Sequence, residues 1–240
     1  MTNNTADDRK RAAALKALDF ITDGMIVGLG TGSTAAHFVK ALGGKVKAGL
    51  KITGVATSAA AETLAIEAGI ALAELDAVPH VDITVDGADE ADRFFRLIKG
   101  GGAAHLREKI VANASRRMVA IMDDTKLVDS LGRFPLPLEI VPFAARTTLR
   151  HAADAAAASG CSSNFVRLRG GDAHPVISDN GNLIADLDCG AIPDPEDLAA
   201  RLAAIPGLVE HGLFIGLCHT LVIGRPEGAE VIEPPPHPAE

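Results

Sequence analysis

The sequence predicts an α/β fold: a mostly parallel sheet with helices on both faces, joined to a smaller α+β unit. Three observations carry this. Short apolar runs that read as buried strands alternate with helix-period segments over residues 25–122. Chemistry-bearing residues follow these runs at 31–34, 57–58, 86–89 and 123–126, four segments that a parallel sheet collects at the edge where open α/β folds bind ligands. Beyond Lys126 the texture changes, and Leu131-Gly132-Arg133-Phe134-Pro135-Leu136-Pro137 interrupts regular structure.

In chain order, Thr5-Ala6-Asp7-Asp8 has the form of a capping box opening a helix with Lys10 near its start and Leu15, Leu18 and Ile21 at helical spacing. Asp23-Gly24 turns the chain into a short buried strand, 25–29, that runs straight into Gly30-Thr31-Gly32-Ser33-Thr34 and a second helix. Free N–H groups at that helix start, the positive end of its dipole and three hydroxyls make a receptor for phosphate or carboxylate. A dinucleotide fingerprint is not completed, because Ser33 stands at the third glycine position and the strand at 51–56 ends in Thr57-Ser58 rather than an acidic ribose ligand. A plain helix-capping turn is the alternative reading of this segment.

A helix at 59–68, a strand at 81–85, a helix at 103–114 with Leu106, Ile110 and Val111 on one face, and a strand at 117–122 continue the alternation. Between them lies the densest chemistry in the chain. Asp86-Gly87-Ala88-Asp89-Glu90 places carboxylates where a buried strand emerges, and Lys99-Gly100-Gly101-Gly102 supplies a cation and a backbone that a ligand can approach closely. Helix side chains lean toward the N-terminus, so Glu108 on the next helix reaches the cavity bordered by Lys99 and the glycines. The smaller unit reads as a strand at 138–141, an alanine-rich helix at 144–158, strands near Phe165, Val176 and Leu183, and a helix at 194–205. Residues 208–214 and 220–223 are expected to rejoin or edge the main sheet. The expected division is thus 1–131 with 206–232 for the larger domain, 132–205 for the smaller, and a proline-rich tail at 233–240 with nothing to bury, expected to be disordered.

Composition excludes several classes of function. A net charge of −8 and an aromatic content of 3%, with no Trp or Tyr, argue against nucleic acid as a partner. Three widely spaced cysteines suggest neither a disulfide framework nor a zinc ribbon and fit a reducing cytoplasm. No apolar run approaches bilayer length, the polar first residues give no export signal, and no membrane association is expected. The eight histidines lack metal-ligand spacing, so no metal is expected.

Taken together, the turn from Gly28 to Ala35, Thr57-Ser58, the run Asp86-Gly87-Ala88-Asp89-Glu90, the segment from Lys99 to Lys109, Lys126, Phe134-Pro135-Leu136-Pro137-Leu138-Glu139-Ile140 and Ile205-Pro206-Gly207-Leu208-Val209-Glu210 closely resemble the type A ribose-5-phosphate isomerases. The resemblance covers nearly the whole chain. It implies a Rossmann-like domain with a small ferredoxin-like domain, no cofactor, and interconversion of ribose 5-phosphate and ribulose 5-phosphate in the non-oxidative pentose phosphate pathway. It further implies Glu108 as the base, Lys99 with the amides of Gly100, Gly101 and Gly102 as stabilisers of an enediolate, and Asp86 and Asp89 as ring-opening and proton-shuttling groups. Thr31, Gly32, Ser33, Thr34, Gly87, Ala88, Lys126 and Lys10 would hold the substrate. A homodimer is expected, with a tetramer as the alternative. Departures are Cys189-Gly190 in place of Phe-Gly, Ala103 in place of a frequent Gly, and the tail. Sugar-phosphate sensor domains and coenzyme A transferases share the fold type; Asp86, Asp89, Lys99 and Glu108 together favour the isomerase.

Overall fold

A computed structural model describes residues 5–234. In chain order they form α1 (Ala6–Ala17), β1 (Ile26–Leu29), α2 (Ser33–Lys47), β2 (Thr53–Ala56), α3 (Ala59–Ala68), β3 (Ile83–Gly87), β4 (Glu90–Ala91), β5 (Leu97–Ile98), α4 (His105–Asn113), β6 (Met118–Asp123), β7 (Leu136–Ile140), α5 (Ala145–Ala158), β8 (Phe165–Leu168), β9 (Leu183–Asp188), α6 (Pro195–Ala203), β10 (Leu208–His211), β11 (Leu213–Phe214), β12 (Thr220–Arg225) and β13 (Gly228–Ile232). The chain divides into two compact units. One holds the described residues up to Gly87, Val111–Lys126 and those from Gly216; the other holds Ala88–Ile110 and Leu127–Ile215.

The first unit is a six-stranded sheet in the order β13-β12-β6-β3-β1-β2, parallel except for β13. Strand alternation sorts its faces. Val27, Leu29, Ile83, Val85, Val119 and Ile121 join Phe38, Val39 and Leu42 of α2 and Ala13, Ala14 and Ala17 of α1 in one core. On the opposite face, Val55 and Val81 pack with Val111 in the last turn of α4. This is the expected Rossmann-like layering. The expected capping box is present, with Asp8 N–H donating to Thr5 Oγ1 at 3.2 Å and Thr5 N–H to Asp8 Oδ2 at 2.9 Å. Leu15, however, is 45% exposed, because α1 buries an alanine face that permits close approach. Gly224 in β12 permits the same approach from the sheet, since a Cβ there would meet the Arg9 carbonyl. Strand β13 has no counterpart in the sequence reading.

The second unit reads β7-α5-β8-β9-α6-β10, with an antiparallel sheet in the order β10-β7-β9-β8, the ferredoxin-like arrangement. Leu136, Leu138 and Ile140 of β7 face Ala152 and Ala156 of α5 and Leu198 and Leu202 of α6 in its core. A second, three-stranded sheet runs β11-β5-β4. Two expectations fail here. Residues 208–214 do not join the main sheet: β10 pairs with β7 and β11 with β5. The strand expected near Val176 is reduced to an isolated bridge between Ile177 and Leu183, with Val176 hydrogen-bonded to Arg169 and Ile184 after the turn that begins at 169. The sequence division kept 88–110 and 206–215 with the larger domain, whereas their strands pair within the second unit. Of the tail, residues 235–240 lie outside the described residues.

Replacing Gly224 by Ala forces the α1 backbone away from β12 and should cost about 1–3 kcal/mol of stability. A thermal midpoint equal to wild type would show that α1 retreats without cost.

Candidate active site

In the first unit the strand order reverses between β1 and β3, the position at which open α/β sheets hold ligands. Gly30 leaves β1 so close to β3 that a Cβ there would collide with the Asp86 carboxylate. Asp86 is fully buried at the end of β3, and its Oδ1 accepts from Thr31 N–H at 3.0 Å and Gly87 N–H at 2.7 Å. Asp86 and Gly87 therefore belong to the strand rather than to the turn after it, held there by pairing with Ala120 and Ile121. Thr31 Oγ1 lies 2.9 Å from Thr57 Oγ1 and 2.7 Å from Ser58 Oγ, so hydroxyls from the ends of β1 and β2 meet. Helix α2 starts at Ser33 behind Gly32, whose φ of 102° only glycine adopts freely, and no side chain caps it. Lys10 Nζ donates to Ser33 Oγ at 3.1 Å, bringing that distant residue to the same helix start. Lys126 closes the 3-10 turn after β6, beside the end of β3 in the sheet order.

In the second unit Lys99 Nζ stands 3.2 Å from Glu108 Oε2, with side-chain exposures of 3% and 4%. Asp89 Oδ2 accepts the Gly101 N–H at 2.7 Å, so that amide, expected from sequence to face an enediolate, already has a partner. Gly100, at φ 109°, lies where a Cβ would come within 2.8 Å of His105 Nδ1 and 2.9 Å of Pro137. Ala103 follows at φ 62°, a conformation glycine takes more readily. Ala88 begins this unit, and Gly102 is exposed. Helix α4 does not bury the stripe expected from its apolar residues. Ile110 is 50% exposed, while Ala104, His105, Glu108, Val111 and Ala112 are buried. Its inward face carries an acid and an imidazole.

Several supporting residues escaped the sequence reading. Arg169 Nη1 donates to the carbonyls of Gly100 and Gly101, both at 3.0 Å, while its guanidinium is pinned by Asp186. Lys109 Nζ donates to Glu210 Oε1 at 2.7 Å and to the His211 carbonyl at 2.6 Å. Burial lowers the Lys109 ammonium from its ordinary value, against the pull of Glu210. Burial acts to raise the Glu210 carboxyl, but Lys109 and His211 together more than offset this and leave it lowered. His105 and His211 are both pushed down to about 4 by burial. Among the described residues no group of three or more His, Cys, Asp or Glu is placed to hold a metal, and no helix is long and apolar enough to cross a membrane.

The two histidines make stability depend on pH in a defined direction. Their folded values lie near 4 and ordinary imidazole near 6.5, so between those values the unfolded chain binds more protons and stability falls as pH falls. Denaturant unfolding should show that loss between about pH 6.5 and 4, and His105→Gln should flatten part of the slope. An unchanged slope in that variant would mean that His105 is not buried in its neutral form.

The chain is similar in sequence and fold to known proteins. A family model described as ribose 5-phosphate isomerase A (phosphoriboisomerase A) matches residues 53–228. The chain is 54% identical over 228 residues to the ribose-5-phosphate isomerase A of Parvibaculum lavamentivorans, covering 95% of this chain and 99% of that one. Among solved structures, a D-ribose-5-phosphate isomerase in complex with phospho-erythronic acid superposes with a TM-score of 0.89 at 40% identity, over 96% of this chain and all of the other. The ribose 5-phosphate isomerase from Plasmodium falciparum gives a TM-score of 0.89 at 31% identity, over 95% and 99% of the two chains. Likeness of this extent in both sequence and fold settles the kinship: the chain belongs to the ribose 5-phosphate isomerase A family.

Proposed function

We propose that this chain interconverts D-ribose 5-phosphate and D-ribulose 5-phosphate through an enediolate, with Glu108 as the base. The observation that carries the reading is the dry contact between Lys99, just after β5, and Glu108, on a helix whose inward face is buried. A carboxylate held beside an ammonium with little water is suited to removing a proton next to a carbonyl.

In this scheme the furanose opens first: O1 loses its proton, the bond from C1 to the ring oxygen breaks, and the ring oxygen takes up a proton. Asp86 and Asp89 relay these protons. Glu108 then removes the C2 proton, the C2–H electron pair forms the C1=C2 bond, and the carbonyl pair moves onto O1. Lys99 stabilises that negative oxygen. A proton is delivered to O1 and one leaves O2; the O2 electrons re-form a carbonyl at C2 as protonated Glu108 returns its proton to C1. The proton taken from C2 thus ends on C1, and the one on O2 is replaced by one on O1.

Thr31, Gly32, Ser33 and Thr34 at the uncapped start of α2, with Lys10 and Lys126, hold the substrate in this reading, aided by the backbone of Gly87, Ala88, Gly100 and Gly102. An uncapped helix start with nearby hydroxyls and an ammonium suits a phosphate. Phospho-erythronic acid, bound by one relative, is itself a sugar-acid phosphate, which supports an anion-accepting site. Three cysteines free of disulfides support a reducing cytoplasm as the working compartment. Phe143, Phe165 and Ile177, exposed in the second unit, support self-association as a homodimer.

Incubating the purified chain with ribose 5-phosphate should yield ribulose 5-phosphate, and Glu108→Gln should slow turnover by on the order of a hundredfold to ten-thousandfold, the usual worth of a positioned base. Near-normal turnover in that variant would move the base to Asp86 or Asp89. Lys126→Ala should raise KM about tenfold or more and change kcat little, because a phosphate contact contributes mostly uniform binding. A fall in kcat at unchanged KM would remove Lys126 from the binding role.

A further inference from the structure

Lys109 follows Glu108 directly on α4 but faces a different set of partners. All three protons of its ammonium have acceptors: Glu210 Oε1 at 2.7 Å, the His211 carbonyl at 2.6 Å and His211 Nδ1 at 3.4 Å. Glu210 Oε1 also accepts the His211 N–H at 2.8 Å. The segment that receives Lys109 is the one that holds Lys99. Lys99 N–H donates to the Gly212 carbonyl at 2.9 Å, and Leu213 and Phe214 form the strand paired with Leu97 and Ile98. The fully buried Phe214 ring has the Lys99 ammonium 5.4 Å from its centroid and the Lys109 ammonium 5.1 Å away. Two lysines therefore share one aromatic ring.

The remaining titratable groups around the pair are His211 and His105, Glu139, and Lys99 with Glu108. Glu139 is buried on β7, where Oε1 accepts from Ser178 at 2.8 Å, Asn180 at 3.0 Å and Asn182 at 2.9 Å. Both imidazoles are neutral near pH 7. Two cations and two anions, Lys99 with Glu108 and Lys109 with Glu210, thus form linked pairs across one ring. Apolar residues of similar volume would hold such a helix at least as well as a desolvated ion pair does, so packing alone gives no reason for the second pair.

We propose that Lys109 and Glu210 form a positioning pair for catalysis, fixing α4 to the 210–214 segment and balancing charge beside Lys99 so that Glu108 keeps its place and its basicity. The inference rests on Glu108 being the base. Lys109 and Glu210 act through Glu108 and Lys99 and touch no reacting atom.

The test is the pH dependence of kcat/KM in the full chain for Lys109→Met, Glu210→Gln and the double variant. Lys109→Met leaves Glu210 unbalanced and should move the acidic limb up by about half a unit to one unit; Glu210→Gln leaves Lys109 unbalanced and should move it down by a similar amount. The double variant should return the limb to its wild-type position. Each single variant should lose about tenfold in kcat with less than about threefold change in KM, as expected when orientation rather than binding is lost. Limbs that stay put, or that move in the same direction in both single variants, overturn the proposal. If Lys109→Met does not fold by circular dichroism, Lys109→Arg, which keeps the charge, should hold the limb in place, and near-isosteric Glu210→Gln decides the matter alone. Glu108→Gln separates the two readings: if it stays active the base assignment fails, and if it is inactive while the pair variants leave the limb unmoved, only the positioning pair fails.

Discussion

Lys99 and Glu108 meet at 3.2 Å almost out of reach of water, and much of the second unit exists to make that tolerable. At an effective dielectric near 20 their attraction is about 5 kcal/mol, while the lost hydration of each ion costs several kcal/mol. Such a pair survives only where both partners are held from several sides. Lys99 is fixed through its backbone to Gly212 and through its ammonium to the Phe214 ring. Glu108 is fixed through α4, whose neighbouring lysine is tied to Glu210 and His211. The glycine turn between them is secured by Arg169 on its carbonyls and Asp89 on the Gly101 amide.

The first unit reaches a comparable result by removing atoms. Asp86 is buried, and its Oδ1 accepts from two backbone amides, those of Thr31 and Gly87. That is possible because Gly30 offers no Cβ to the carboxylate. Where the second unit uses side chains to hold charge, the first uses strand ends and glycine.

The larger architecture was legible because burial in a parallel sheet leaves apolar runs with polar residues at their ends. The strands ending at Leu29, Ala56, Gly87 and Asp123, and the hydroxyls and carboxyls just beyond them, follow that rule. Two-residue strands such as Glu90–Ala91, Leu97–Ile98 and Leu213–Phe214 are too short to display a period, so the small sheet leaves no trace in the sequence pattern, and nothing local tells β10 to pair with β7 rather than with the main sheet. Helix α4 misled for a different reason. Apolar residues mark the buried face of an ordinary helix, but this one buries His105 and Glu108 and exposes Ile110. The contact between Lys109 and Glu210 joins residues 101 positions apart, and nothing in local spacing announces it.

Gly32 leaves the first turn of α2 without a side-chain partner. Most helices are closed at that point by a side chain of their own; in the substrate-binding reading proposed above, the closing group comes from solution. An anion docked on those amides would complete the helix as a Ser or Asp would elsewhere, so that occupancy becomes part of the folding equilibrium. A ligand at a hundred times its dissociation constant adds about 2.7 kcal/mol to stability. The supply of sugar phosphate would then set how long the native state lasts as well as how fast the chain turns over, and in a starved cell the idle copies would be the first to open.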